Sequence, residues 1–504
     1  MGFSAVDYVV LLLYLVGITV FGMMFRRTQR TVKDYFIGAK NTHWLVISLS
    51  FRRTQRTVKD YFIGAKNTHW LVISLSIVAT ETSTLTLIGV PAIAYANYAR
   101  PELGGNFTYL QVVFGYIVAR IIISLLFIPA YFQGDLLTAY ELLKKRFGAK
   151  TKNFAASLFL VMRALAEGVR VFAASLVLSA VLGTSLPDWP SLWLWSIIIV
   201  GVLTLIYTFE GGIAAVIWTD LIQLVIYVGG SLLAAYELLH LVPGGWPAVA
   251  ANAAATNKFQ VFSFSWDFTV PFTFWAGFLG GTFLTMASHG TDQLLVQRLL
   301  TCRNKRDSQK ALVFSGIVVF AQFALFLFIG VLLSAYYRAF PLTNKLTSND
   351  EIFPTFIVQR LPHGIAGLVI AAIFAAAMSN LSGSLNSLSS STVLDLYRPL
   401  INPDDTDEHY LKLSRWFTAA WGVVLIFIAV VARGWGSVFT AGLTIASLVY
   451  GPMLGAFLLG VLTRRANQIG VMTGMAVSLA FMLGVKFYTG IAWTWYVLMG
   501  TVVC

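Results

Sequence analysis

Between Phe374 and Tyr397 the chain reads FAAAMSNLSGSLNSLSSSTVLDLY. Ser379, Asn380, Ser382, Ser384, Asn386, Ser387, Ser389, Ser390, Ser391 and Thr392 crowd into this one stretch. The apolar run Ile365 to Ile373 leads into it without a break, so these oxygens belong to a membrane-length segment. On a helix, Ala376, Ser379, Asn380 and Gly383 share a stripe, with Ser382 and Asn386 beside it. Small residues carrying hydroxyls let helices pack closely, and neutral oxygens are also the ligands a hard cation takes. Taken alone, the stretch leaves both uses open.

A second polar run, Ala79 to Thr86 (ATETSTLT), interrupts the apolar segment 70–97 and is followed by Gly89 and Pro91. Backbone groups freed inside a membrane are tolerated only where they line a cavity or are buried in protein. Unwound carbonyls of a discontinuous helix can hold a cation, whereas a Pro-kinked helix with back-bonded hydroxyls is the plainer alternative. Glu81 favours a site, because intramembrane carboxylates are costly and usually functional. Segment 153–183 adds Arg163, Glu167 and Arg170 at i, i+4 and i+7. Two cations and one anion leave a positive charge over, for Glu81 or an anionic solute group to meet. Arg163 is expected to snorkel, and Arg120 to pack or snorkel. Asp220, in IAAVIWTDLIQLVIY, reads as a cation ligand or a structural carboxylate, and His289 and His363 as structural residues at helix ends.

The elements that must hold these residues are membrane spans. With 58% hydrophobic and 11% charged residues over 504, the chain reads as an all-α polytopic membrane protein. Apolar stretches long enough for a hydrocarbon core of about 30 Å fall at 5–25, 70–97, 109–131, 153–183, 191–208, 213–240, 271–290, 311–336, 365–392, 412–432, 438–462 and 468–487. A short final one at 492–504 brings the expected total to about thirteen, and it reads as truncated. Loops alternate in charge, with basic clusters after residue 25 and at 144–150, 298–310, 398–415 and 464–465. The positive-inside rule makes these cytoplasmic and the N-terminus outside. The net charge of +13 is therefore topology and implies no nucleic-acid partner. Met1 to Phe25 lacks a basic n-region and reads as a first span, not a cleaved leader. Cys302 and Cys504 suggest neither a disulfide framework nor a metal site.

Residues 25–50 and 51–76 are identical. Structural repeats diverge, so an exact copy is no solenoid. The second copy runs on into the polar segment and can span, which leaves the first as a basic insertion.

Several stretches resemble the sodium/solute symporter family, which includes the sodium–glucose, sodium–proline and sodium–sialic acid symporters. They are TAYELLKKRFG (Thr138 to Gly148), YTFEGGIAAVIWTDLIQ (Tyr207 to Gln223), GTDQLLVQRLL (Gly290 to Leu300) and Leu361 to Tyr397. The resemblance implies a LeuT-like fold of two five-helix inverted repeats, here 70–240 and 271–462. An extracellular loop 241–270 would join them, with peripheral helices at 1–25 and 463–504 and a basic cytoplasmic loop at 26–69. It also implies sodium held by the carbonyls of Ala79, Thr82 and Ala376 with Ser379 and the side chain of Asn380, where the family commonly has Ser or Thr. A second sodium would use Asp220, Ser379 and Ser382, but position 383, a further hydroxyl in such members, is Gly. Glu81, Ser83, Thr86 and Arg170 are the expected solute contacts.

The function so implied is sodium-coupled import of a small polar solute across the cell membrane by alternating access. The solute would be a sugar acid such as sialic acid, or an amino acid. Neither a nucleophile constellation nor a nucleotide-binding loop stands in the sequence, so an enzyme is not expected. A solute or ion channel, or a transporter-like sensor, is the alternative; a sensor would want a C-terminal signalling extension.

Overall fold

The computed structural model describes residues 3–23, 69–96, 103–133, 136–183, 189–342, 346, 348–433, 435 and 438–504. Most of the duplicated stretch, including the expected basic insertion, lies outside the described residues; the second copy enters them at His69, and Trp70 opens a helix. Among the described residues the regular elements are helices, with no strand. Those that matter here are α1 (Ala5–Met23), α2 (Trp70–Glu81), α3 (Thr84–Tyr95), α4 (Leu110–Tyr131), α5 (Ala149–Gly183) and α6 (Leu192–Leu241). They continue with α7 (Phe274–Gly290), α8 (Gln293–Leu300), α9 (Lys305–Ala339), α10 (Ile365–Ser390), α11 (Asp407–Ala432), α12 (Val438–Leu462), α13 (Gln468–Tyr488) and α14 (Tyr496–Val503).

Eight helical stretches among the described residues are long and apolar enough to cross a membrane, and α2 with α3 forms a ninth, bent by 64°. The segments expected at 191–208 and 213–240 are helical throughout as α6, with apolar parts Leu192–Ile206 and Val216–Leu241. A 50-residue helix is about 75 Å long, far more than one crossing needs; Val216–Leu241 is itself long and apolar enough to span, and Leu192–Ile206 is a shorter apolar part.

Packing reveals a twofold exchange. The α2–α3 pair lies against α9, and α7 lies against α4; α5 packs on α11 and α12, and α10 packs on α6. The α2–α3 pair thus meets α9 as α7 meets α4, and α5 meets α11 and α12 as α10 meets α6. Such an exchange is the contact pattern of two inverted repeats, as in a LeuT-like fold. Backbones touch where these helices cross. A Cβ on Gly281 of α7 would collide with the carbonyl of Val112 on α4, which is how small residues bring membrane helices together.

The α2–α3 break follows from its residues. Thr80, Thr82, Thr84 and Thr86 are β-branched and compete for backbone hydrogen bonds. Thr82 (φ −82°, ψ 106°) and Ser83 (φ −102°, ψ 172°) are extended, which ends the helical ladder. A second break falls at Thr291–Asp292, between α7 and α8. α10 is buried almost along its whole length and passes at Ser391–Tyr397 into a π-helical turn.

Candidate cation and solute site

The last carbonyls of a helix lack intrahelical partners. At the end of α2, the N–H of Thr82 still reaches the carbonyl of Val78 at 3.1 Å, and the extended residues then release those that follow, Ala79 among them. The oxygen stripe of α10 meets this break directly. Asn380 donates its Nδ2 to the carbonyl of Thr80 at 2.5 Å, and Ser379 donates its Oγ to Asp220 Oδ1 on α6 at 2.5 Å. The hydroxyl of Ser379 spends its hydrogen on a carboxylate, so its lone pairs remain available to a cation. Asp220 also ties in α2: Ser76 donates to its Oδ2 at 2.6 Å and Thr80 at 3.2 Å. The break thus stands beside Ser379 and Asn380, with Ala376 one turn back on α10. Thr82 spends its hydroxyl hydrogen on Val78 and accepts from Gln322 of α9 at 2.5 Å.

A narrow cavity lies beside the break, lined by Ser83, Thr84, Glu167, Arg170 and Asn380, with apolar walls from Val171 and Val200 among others. Arg170 donates from Nη1 to Glu167 at 3.1 Å and to Asn380 Oδ1 at 3.1 Å. Its Nε is buried without a partner, and so is the hydroxyl of Thr84. Ser83 gives no side-chain cap to α3, leaving the positive end of that half-helix open toward the cavity. Thr86 is buried on α3 and does not line the cavity.

Several charges sit elsewhere than their sequence positions suggest. Glu81 pairs with Arg120, which is fully buried and also donates to Ser315 at 3.1 Å; His289 stands 3.4 Å from the same carboxylate. Glu81 therefore lines no part of the cavity, and Arg120 neither snorkels nor serves mere packing. Arg163 does not snorkel either. It is buried and paired with Asp292 at the second break, and it donates to the hydroxyl of Tyr450 at 3.1 Å. The surplus positive charge read on α5 is thereby cancelled, and Arg170 with Glu167 is neutral as a pair. Asn380, expected to turn its oxygen to the cation, gives that oxygen to Arg170. Ser382 donates back to the carbonyl of Ser379 at 3.0 Å.

Arg298 escaped the sequence reading, which counted it among loop cations. It is fully buried on α8 and donates to Asp220 at 2.9 Å. The leucines around it, Leu294, Leu295, Leu299 and Leu300, were the available signal for burial. Asp292, Gln322 and Tyr450 were missed as well, since each acts only through a partner distant in sequence.

A model of the sodium:solute symporter family matches residues 61–478. The chain is 28% identical over 510 residues to the sodium/sialic acid symporter NanT of Aliivibrio fischeri, spanning 99% of this chain and 91% of that protein. To the sodium/sialic acid symporter SiaT of Proteus mirabilis it is 29% identical over 509 residues, spanning 99% and 93%. Among solved structures, a Na+-coupled sialic acid symporter in its substrate-bound outward-open state aligns with a TM-score of 0.85 at 27% identity. That alignment covers 99% of this chain and 96% of the other.

Proposed function

This chain belongs to the sodium:solute symporter family, and from that premise we propose that it imports a carboxylated sugar of the sialic acid kind together with sodium. It is a LeuT-like membrane transporter, not an enzyme, and sodium is its coupling ion. The proposal adds the solute and the residues. Sodium is held between the α2–α3 break and α10, by the carbonyls of Ala79, Thr82 and Ala376 with the hydroxyl of Ser379. These are neutral oxygens of the kind a small hard cation takes. The solute lies in the adjoining cavity. We place the two repeats at 70–240 and 271–462, with the rest peripheral.

One observation carries the solute class. Both hydrogen bonds of Arg170 leave from Nη1, so the Nε edge of its guanidinium is uncommitted, in a cavity shared with the uncapped start of α3. A guanidinium edge and a half-helix N-terminus together suit a carboxylate. Thr84 offers a further hydroxyl, and the pairing of Arg170 with Asn380 joins solute binding to the sodium side of the break.

Coupling follows from that shared wall. Sodium orders the break, and the ordered break presents Ser83 and Thr84 to the solute. Moving one charge down the membrane potential supplies about 2.3 kcal/mol per 100 mV. Rocking of one set of helices against the other then opens the pair of sites to the opposite face. The test is uptake of radiolabelled N-acetylneuraminic acid into proteoliposomes. Accumulation above equilibrium under an inward sodium gradient, and none with potassium in its place, is the expected result. Sodium-independent equilibration would indicate a channel, and sodium-driven uptake of amino acids but not of this sugar acid would overturn the solute.

A further inference from the structure

The carboxylate of Asp220 is where the resemblance would place a second sodium, yet a cation of the chain itself already holds that position. Arg298 reaches it from α8 with all three of its nitrogens engaged. Nη2 donates to Asp220 Oδ2 at 2.9 Å, Nε to Ser76 Oγ at 3.0 Å, and Nη1 to the carbonyl of Leu294 at 2.7 Å. Hydroxyls complete the shell: Ser76 and Thr80 donate to Oδ2, and Ser379 donates to Oδ1. Both residues of the pair are fully buried.

Gly383 makes this arrangement fit. A Cβ at that position would stand 2.8 Å from Nη2 and 3.4 Å from Nη1 of Arg298. Any side chain there must push the guanidinium aside, so the missing hydroxyl at 383 and the seated arginine are one feature. Ser382 donates its hydrogen to the carbonyl of Ser379 in its own helix and not to Asp220.

We infer that Arg298 is a tethered cation standing in for a second sodium at Asp220, so that the transporter binds and moves a single sodium per cycle. The guanidinium, bonded to Asp220 at 2.9 Å, answers the one negative charge of that carboxylate. A sodium brought to the same carboxylate would meet a like charge in a buried setting that salt screens little. The tether also fixes geometry, since Arg298 links α8 to α2 and α6 and lies against α10, and α2 and α10 carry the remaining sodium site. That site is the one proposed at the α2–α3 break, and the inference rests on it.

Equilibrium binding of 22Na+ to the purified full-length protein tests this without any solute. The wild type should bind one sodium per chain. Gly383→Ser displaces the guanidinium and supplies a hydroxyl, and it should bind two. Arg298→Lys keeps a cation beside Asp220 and should still bind one. Arg298→Gln should bind two; should it fail to fold, Gly383→Ser carries the test. Two sodium ions on the wild type, or a single one on folded Gly383→Ser, would overturn the inference while leaving the break site standing. No saturable sodium on the wild type would remove the break site itself and the inference with it.

Discussion

Both halves of the chain break a helix at the same point in their order, and the two breaks are finished in opposite ways. At Thr291–Asp292 the backbone groups and the carboxylate are taken up internally, although Arg163 keeps an unpartnered Nε there. Tyr131 donates its hydroxyl to the carbonyl of Gly290, and Thr291 donates its N–H to Ala287 at 2.9 Å and its hydroxyl to the same carbonyl at 2.9 Å. Asp292 accepts the N–H of Leu294 at 2.9 Å, while its other oxygen holds Arg163 and Tyr450. At Thr82–Ser83 the start of α3 has no side-chain cap, Thr84 keeps a free hydroxyl, and Arg170, which lines the cavity alongside, has a buried Nε without a partner. A discontinuity in a membrane helix is therefore not in itself a binding site. An uncapped half-helix with a cavity beside it is what distinguishes one.

The strongest blow to this contrast would fall on the closed break. Asp292→Asn leaves Arg163 buried without a counter-charge, and stranding one member of a buried pair costs about 3–5 kcal/mol. The variant should lose several degrees of thermal stability and nearly all uptake. Arg163→Gln combined with Asp292→Asn should recover part of the loss, because the double change removes both charges. A well-folded Asp292→Asn protein that melts with the wild type would mean the second break is not locked by this pair.

At the open break the expected losses are in binding, not in folding. Arg170→Gln should weaken binding of a carboxylated sugar by about ten- to a hundredfold, since a charge-assisted bond contributes about 1.5–3 kcal/mol. The amide analogue of the same sugar should lose far less. Arg170→Lys should rescue in part, because a point charge lacks the planar fork. Glu81→Gln should leave the discrimination between the two analogues unchanged, as Glu81 is committed to Arg120. Equal losses for both analogues in Arg170→Gln would make Arg170 a structural partner of Glu167. Ser379→Ala comes next in size. Losing one neutral oxygen costs about 1–2 kcal/mol, so the sodium concentration for half-maximal uptake should rise about five- to thirtyfold. Unchanged sodium dependence in folded protein would remove Ser379 from the site.

What the sequence disclosed was governed by how local each feature is. Spans and the α2–α3 interruption were legible, because hydrophobic length and a run of β-branched hydroxyls are properties of contiguous residues. The oxygens of α10 were legible as a stripe, but their division of labour was not. Ser382, Ser387 and Ser390 donate back into their own helix, each at 3.0 Å, whereas Ser379, Ser384 and Ser389 reach Asp220, Glu167 and the carbonyl of Ser414. Only the neighbouring helix decides which hydroxyl does which. The ion pairs were hidden for the same reason: Arg163 and Asp292 lie 129 residues apart, and Arg120 and Glu81 lie 39 apart. Arg298 was masked by the cations that follow it, from Arg303 to Lys310, which gave the whole stretch the look of a basic loop.

The smallest expected effect concerns how the open break is anchored at its far end. If α3 begins without a cap, something else must fix it, and Lys258 is placed to do so. This residue, in the loop between the two halves, is buried and donates to the carbonyls of Ala94, Tyr95 and Ala96 at 3.0, 3.0 and 2.7 Å. A cation at a helix C-terminus is favoured by the dipole, but burial works against the charge and draws the ammonium down to about 8. Burial thus outweighs the dipole. Since Lys258→Met relieves that burial while giving up the three hydrogen bonds, it should change stability by no more than about 1 kcal/mol near neutral pH. Its pH dependence is the sharper reading. With a folded pKa below the ordinary lysine value of 10.5, the unfolded chain binds more protons between roughly pH 8 and 10.5. This residue's contribution to stability therefore rises with pH across that window and is lost again as pH falls back through about 8. Melting curves of the wild type and Lys258→Met from pH 7 to 10 should diverge in that direction, the wild type gaining relative to the variant. Parallel curves would show that Lys258 is not held as a buried clamp, and that the outer end of α3 is as free as its start.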